Sequence, residues 1–175
     1  MAVLDEDEIE GLDDERLGLF RLEAGRIGAA VDPLIAAAKR ACMDEDYGRS
    51  MLLVETGERA LDQLGLPPGD IRRFHMKRRR LVCVTNAWEF DKVLGQAESL
   101  LMEARRHGWP TFDVQAILAT NLAIQGEHAA AKAYILEALD QETDPGQRAQ
   151  LLSIRTTQRP SGSAGKRARP RCSSR

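Results

Sequence analysis

The side chains that could do chemistry are scattered along this sequence rather than grouped. His75, His107 and His128 each stand alone, without a second histidine four residues away or a glutamate three residues before. The helical patterns that bind zinc or a di-iron centre are therefore missing. No G-x-S-x-G elbow occurs, and no G-x-G-x-x-G follows a predicted strand. We expect no catalytic residue, no metal site, no cofactor and no small-molecule substrate, so the sequence predicts a protein that is not an enzyme.

The number and spacing of the cysteines argue against a fold held together by disulfide bonds or by a bound metal ion. Cys42, Cys83 and Cys172 are far apart and odd in number, and no C-x-x-C occurs. We interpret Cys42 and Cys83 as small buried hydrophobic residues. The N-terminus is acidic where a secretory signal is basic and then apolar. No apolar run approaches the roughly 20 residues of a membrane span. Together these features favour a cytoplasmic protein that does not bind membranes.

Basic side chains are concentrated in two stretches, 72–80 and 159–175. The first alternative is a solvated helix end that forms salt bridges with the acidic N-terminus. The second is sequence-independent binding to nucleic-acid phosphates, which would weaken steeply with salt. Phe74 is the only aromatic residue nearby, so base stacking is not favoured. The candidate phosphate contacts of the first stretch are Arg72, Arg73, Lys77, Arg78 and Arg80.

Length and composition predict one all-α domain with tails. The chain has 175 residues and a formal net charge of -2. Hydrophobic residues make up 43% of it and aromatic residues only 5%, which is typical of a helix-pair core built from Leu, Ala, Ile and Val. We divide it into an acidic flexible lead-in (1–12), N-terminal helical hairpins (13–66), helical repeats (70–154) and a disordered basic tail (155–175).

Capping and breaking residues predict where the first helices lie. Asp13 or Asp14 caps a helix that we expect to run from about Asp13 to Ala30. Asp32-Pro33 then restarts the chain, with proline in the first helical position, and this second helix ends near Asp44. A third helix is expected from about Arg49 to Leu64. The segment 65–70, with two prolines and two glycines, is the clearest break in the chain.

The next helix is expected from Asp70 to Phe90. Its first half is basic and its second half is apolar, so we expect it to protrude from its neighbours at the basic end. Another helix runs from about Val93 to His107 and ends at Gly108, a natural C-cap. After the central hairpin, a last helix from Gly146 to Ile154 is expected to cover the exposed seam with Leu151, Leu152 and Ile154.

The central hairpin, Phe112 to Pro145, has two amphipathic segments that flank a break at Gly126. A repeating pattern of small and apolar residues, with late punctuation by glycine and proline, is formed by Leu118, Ala119, Leu122, Gly126, Ala131, Ile135, Ala138 and Pro145. On these residues the hairpin resembles one tetratricopeptide repeat, a helix-turn-helix unit of about 34 residues. Gln115 departs from the pattern, because it stands at the early aromatic position, and Pro145 comes about two residues late. A weaker match extends the resemblance back to Arg78. The alternative is an unrelated helical bundle.

The resemblance implies a short α-solenoid of stacked antiparallel hairpins that acts as a non-enzymatic adaptor or scaffold for another protein. In this family the first helix of each repeat lines a groove that takes a partner peptide or helix. A carboxylate clamp is not implied, because Val82 stands where a lysine is needed. The groove residues carried over are Arg79, Val82, Asn86, Glu89, Asp113, Ala116, Thr120 and Ala123.

Two other functions stay open from the sequence. The chain could be a nucleic-acid-associated or transcription-regulatory protein that uses segments 72–80 and 159–175, or a helical part of a larger regulator. The adaptor hypothesis makes a direct prediction: the double substitution Asn86→Ala and Thr120→Arg abolishes partner capture without unfolding the protein.

Overall fold

A computed structural model of the chain describes residues 13–86 and 90–157, without the side chains of 86, 90–92, 150 and 154–157. Over these residues the chain forms eight α-helices and no strand. They are α1 (Asp14–Glu23), α2 (Ile27–Met43), α3 (Tyr47–Gln63), α4 (Ile71–Asn86), α5 (Phe90–His107), α6 (Phe112–Ile124), α7 (His128–Gln141) and α8 (Pro145–Thr157). The predicted acidic lead-in, residues 158–175 of the predicted basic tail, and Cys172 lie outside the described residues. Residues 155–157 were predicted as the start of the disordered tail, but they belong to the last turn of α8.

The helices pack as a stack of antiparallel hairpins, which confirms the predicted all-α architecture. Short turns join α2 to α3 and α6 to α7, and each helix contacts the next one along the chain. The even-numbered helices also contact one another in order: α2 meets α4, α4 meets α6 and α6 meets α8. These four helices therefore lie side by side and form one layer of the stack.

The core is divided in the same repeating way. The first core cluster joins α2 and α3 to Met76 of α4, and its largest members include Leu34 and Leu61. The second joins α4 and α5 to Val114, Ile117 and Leu118 of α6. The third joins α6 and α7 to Leu151 of α8. Each hairpin thus completes its core with the first helix of the next unit, as in solenoid proteins.

The prediction of one helix over 13–30 was wrong. α1 ends at Glu23, and Gly25 turns the chain in the left-handed region at φ 70°. The turn is closed by the Arg26 N–H, which donates to the Arg21 carbonyl at 2.8 Å. The sequence signal was present in Gly25, but three glycines at 18, 25 and 28 offered three candidate breaks.

Asp32-Pro33 does not restart the chain, because Pro33 lies inside α2. A proline in a helix leaves the carbonyl four residues earlier without its N–H partner. Here that carbonyl belongs to Ala29, and the Arg21 guanidinium of α1 donates to it at 2.9 Å. A side chain from the neighbouring helix thus supplies the missing hydrogen bond, which the local sequence could not show.

The other predicted boundaries hold within a few residues. α3 begins two residues before the expected Arg49 and is capped by Asp46, whose carboxylate accepts from the Arg49 N–H at 3.0 Å. Asp70 caps α4 through the Arg72 N–H at 2.9 Å. Phe90, expected at the end of that helix, is the first residue of α5.

The predicted last helix is present as α8 and closes the stack. Leu151 is fully buried, Leu152 is 45% exposed, and the Ile154 side chain is not described. The Arg148 guanidinium donates to the carbonyls of Leu139 and Glu142 at 2.6 and 2.8 Å. Since these carbonyls lie at the C-terminal end of α7, Arg148 satisfies acceptors that a helix end leaves unpaired. None of the helices in the described ranges is long and apolar enough to cross a membrane.

Candidate partner-binding surface

The layer formed by the even-numbered helices holds most of the predicted groove residues. Arg79 and Val82 are half-buried on α4, and Asp113, Thr120 and Ala123 are half-buried on α6. Ala116 is only 8% exposed and packs in the third core cluster, so its assignment to an open groove was wrong. It packs there because α8 lies beside α6, a contact that depends on the last helix. The Asn86 side chain and all of Glu89 lie outside the described residues.

Polar contacts hold α4 against α6 in this layer. Arg78 of α4 forms a salt bridge with Asp113 of α6 at 2.7 Å, and the Asn121 side-chain amide donates to the Thr85 hydroxyl at 3.4 Å. The Arg78 guanidinium also lies 5.9 Å from the centre of the Phe74 ring. Burial lowers the pKa of Arg78 from its usual range, and Asp113 opposes this shift. Asp113 therefore stabilises a half-buried cation of its own chain.

The basic stretch of α4 does not protrude, which corrects the prediction from the sequence. Phe74 and Met76 are fully buried, so the basic end of this helix is packed on both sides. Helices α3, α5 and α6 surround it and bring their carboxylates to its cations. The sequence pattern could not show this, because the acidic partners come from four separate parts of the chain.

All five candidate phosphate contacts are engaged in salt bridges. Arg72 pairs with Asp70 at 2.9 Å, Arg73 with Asp62 at 2.7 Å, Lys77 with Glu103 at 2.8 Å, Arg78 with Asp113 at 2.7 Å, and Arg80 with Glu58. The two hydrogen bonds from the Arg72 guanidinium are a main cause of the lowered pKa of Asp70. A phosphate would have to displace these carboxylates, so the stretch 72–80 is not an open anion-binding surface. Partners from the acidic N-terminus, which the first alternative expected, are not found among the described residues.

Arg79 differs from its five neighbours. In residues 13–86 and 90–157, no carboxylate forms a salt bridge with it. It lies on α4 one turn after His75 and contributes to the electrostatic environment of that histidine. Arg79 is thus a half-buried cation in the middle of the even-numbered layer with capacity to bind an external carboxylate.

His75 lies among charges from three helices. The groups that act on it are Arg78 and Arg79 of its own helix, Asp32 of α2 and Asp113 of α6. Its Nδ1 atom is buried and has no hydrogen-bond partner in the described part of the chain. Burial is the main cause of its lowered pKa, followed by the two arginines. The lowered pKa therefore favours the neutral form of His75 at neutral pH.

Lowering the pH is expected to destabilise the protein through His75. Because the folded pKa lies below the usual 6.5 or so, the unfolded chain binds this proton first, and folding stability falls as pH drops through that range. His75→Gln should flatten the dependence of the free energy of unfolding on pH between about 7.5 and 5.5. Urea denaturation measures it, with His128→Gln at the exposed α6–α7 turn as the control. A slope that is unchanged in His75→Gln would contradict the assignment.

A cleft of about 340 Å³ lies between α4 and α5 and was not predicted from the sequence. Lys77 and Arg80 of α4 face Ser99 and Glu103 of α5 across it, and Leu81 and Leu100 provide its apolar lining. Both cations are already paired. Gly95 of α5 also lines the cleft, and a Cβ atom added there would meet nothing within 4 Å. No residue pattern in the sequence announces this space, since it results from the packing of two helices.

Cys42 and Cys83 are both buried, as expected, and they lie on neighbouring helices, α2 and α4. No group of three or more His, Cys, Asp or Glu residues that could hold a metal ion occurs within the described ranges.

No known protein family, no curated protein and no solved structure matches the chain.

Proposed function

We propose that this protein is a non-enzymatic adaptor that binds a peptide or helix of another protein on the layer formed by α2, α4, α6 and α8. One observation carries the proposal: the first helices of successive hairpins lie side by side, and their layer includes Arg79, a half-buried cation of α4. Stacked hairpins commonly use such a layer as an extended binding surface. The tetratricopeptide-like pattern of 112–145 supports the same function.

The chemistry of the surface favours a particular partner. Arg79 can bind a carboxylate, Thr120 can donate or accept a hydrogen bond, and Val82 and Ala123 provide small apolar contacts. A partner segment of mixed character, with one acidic side chain among apolar residues, satisfies all of these groups. The paired cations around Arg79 do not add to this recognition, since their charge is neutralised within the chain.

Charge reversal at Arg79 tests the proposal. Partners are captured from the source cell with the immobilised protein, identified by mass spectrometry, purified and titrated. We expect Arg79→Glu to weaken binding by about tenfold or more, and Asn86→Ala with Thr120→Arg to abolish it. Arg106→Glu, an identical change at an exposed position of α5, should bind as the unmodified protein does.

Circular dichroism of each variant establishes that it is folded. Equal loss in Arg79→Glu and Arg106→Glu would indicate a general charge effect, and full binding by the folded double variant would place the partner elsewhere. The nucleic-acid alternative receives no support from 72–80, because five of its six cations are paired. Its second segment, 159–175, lies outside the described residues.

A further inference from the structure

The strongest unassigned juxtaposition is the pair of thiols of Cys42 and Cys83. Cys42 lies in the last turn of α2, one residue before its end, and Cys83 lies in α4. These helices are neighbours in the even-numbered layer. The two side chains are 8% and 2% exposed, respectively, and neither sulfur is in a disulfide.

A chain of hydrogen bonds links the Cys83 thiol to the helical turn of α2 that precedes Cys42. The Cys83 thiol donates to the Ser50 hydroxyl at 3.3 Å, and that hydroxyl donates to the Ala38 carbonyl at 2.8 Å. Ala38 is one helical turn before Cys42, so its carbonyl lies beside the backbone of Cys42. Burial is the main cause of the raised pKa of the Cys83 thiol, and Cys42 contributes to the same shift.

From this cluster we infer that Cys42 and Cys83 form an intramolecular disulfide bond when the folded protein meets a peroxide. The bond would join α2 to α4 and fix two helices of the even-numbered layer relative to each other. The inference does not depend on the proposed function, because it concerns a covalent modification that can be measured without any partner.

The reaction is balanced with hydrogen peroxide as the oxidant. Cys42 is the less buried thiol and sits at a helix end, where local opening is easiest. Its thiolate attacks one peroxide oxygen, the O–O bond breaks, and a sulfenic acid and one water are formed. The Cys83 thiolate then attacks the sulfenic sulfur and displaces hydroxide, which takes up a proton and leaves as the second water. Two thiols lose two electrons in total, and the peroxide gains them.

The surroundings of Cys83 determine the order and the rate. Burial raises the pKa of the Cys83 thiol, so its thiolate is scarce at neutral pH and it suits the second, resolving role. We expect the disulfide to form faster as the pH is raised, because the thiolate is the reacting species.

The experiment uses the full chain with Cys172→Ser, which leaves only the two thiols of interest. After treatment with dilute hydrogen peroxide under native conditions, we expect a loss of about 2 Da in the intact mass and no remaining free thiol. Trypsin without reduction should give peptide 41–49 linked to peptide 81–92, and dithiothreitol should restore both. Adding Cys83→Ala provides the control, in which Cys42 gains oxygen atoms but no linkage forms.

Three results would overturn the inference. In the first, both thiols stay free in the native protein. In the second, the sulfurs gain oxygen atoms but the mass loss of about 2 Da that marks a disulfide is not seen. In the third, the disulfide links two chains instead of two cysteines of one chain. A linked peptide that forms only in urea would count against it as well, because the proximity would then not belong to the folded state.

Discussion

Replacing Gly57 by alanine is expected to destabilise the protein, whereas the same change at Gly95 is expected to stabilise it. Both glycines lie inside helices, where alanine normally gains up to about 1 kcal/mol. At Gly57, however, an added Cβ would lie 2.0 Å from the terminal methyl of Met76 and 3.1 Å from its sulfur. Since Met76 is fully buried in the first core cluster, the overpacking cost of about 1 to 3 kcal/mol exceeds the helical gain.

The pair of variants isolates this close approach between α3 and α4. We expect Gly57→Ala to lower the free energy of unfolding by about 1 to 2 kcal/mol and Gly95→Ala to raise it by about 0.5 to 1 kcal/mol. Urea denaturation at one pH measures both. Met76→Leu, which shortens the side chain that approaches Gly57, should recover part of the loss in Gly57→Ala. A gain at both glycines would show that the Met76 side chain can move away from Gly57 at little cost, and the predicted overpacking would then be wrong.

Most of the helix boundaries could be predicted from local sequence signals. Helical periodicity and the breaks at 65–70, Gly108 and Gly126 define most of α3 to α8, because caps and turns act over a few residues. The second helix was predicted to begin at Pro33 instead of Ile27 for the opposite reason. Pro33 is tolerated in α2 because Arg21 of another helix supplies a hydrogen bond, and such long-range compensation leaves no local signal.

The candidate site was likewise predicted only in part from the sequence. The helices that carry Arg79 and Thr120 were predicted from spacing, since a repeat pattern assigns residues to faces of a helix. The neutralisation of the basic residues of α4 was not predicted, because the carboxylates that pair with them come from other helices. These carboxylates belong to Asp62, Glu58, Glu103 and Asp113. A run of basic residues therefore predicts an anion-binding surface only where the fold leaves it without carboxylate neighbours. The placement of Cys42 and Cys83 on neighbouring helices likewise depends on the packing of α2 against α4.

The neutralised cations also affect how the adaptor proposal is tested. If none of the six basic residues of 72–80 formed a salt bridge within the chain, charge reversal at any of them would weaken the binding of an acidic partner. Because five are paired internally, substitution of Arg73 or Arg80 would first disturb the packing of α3 on α4. Arg79 is the position at which a change in binding is expected with little change in stability, and this separation makes its substitution informative.

Removing one side chain at the end of the stack is expected to have the other large effect. Leu151 of α8 is fully buried in the third core cluster with Phe112, Ile135 and Ala138. Leu151→Ala should lower the stability of this end by about 2 to 5 kcal/mol, the range for a large core side chain that leaves a cavity. Leu152→Ala, the neighbouring leucine with 45% exposure, should change it by less than about 0.5 kcal/mol.

The location of the loss distinguishes a stack of units from a single cooperative core. Each core cluster is completed by the first helix of the next hairpin, so a defect in α8 should be felt mainly in α6 and α7. Native-state hydrogen exchange measures this helix by helix. We expect amides of α7 and α8 to exchange much faster in Leu151→Ala, while those of α2 and α3 keep their protection. Equal loss of protection from α2 to α8 would mean that the three clusters unfold together, and the capping role of α8 would then extend to the whole chain.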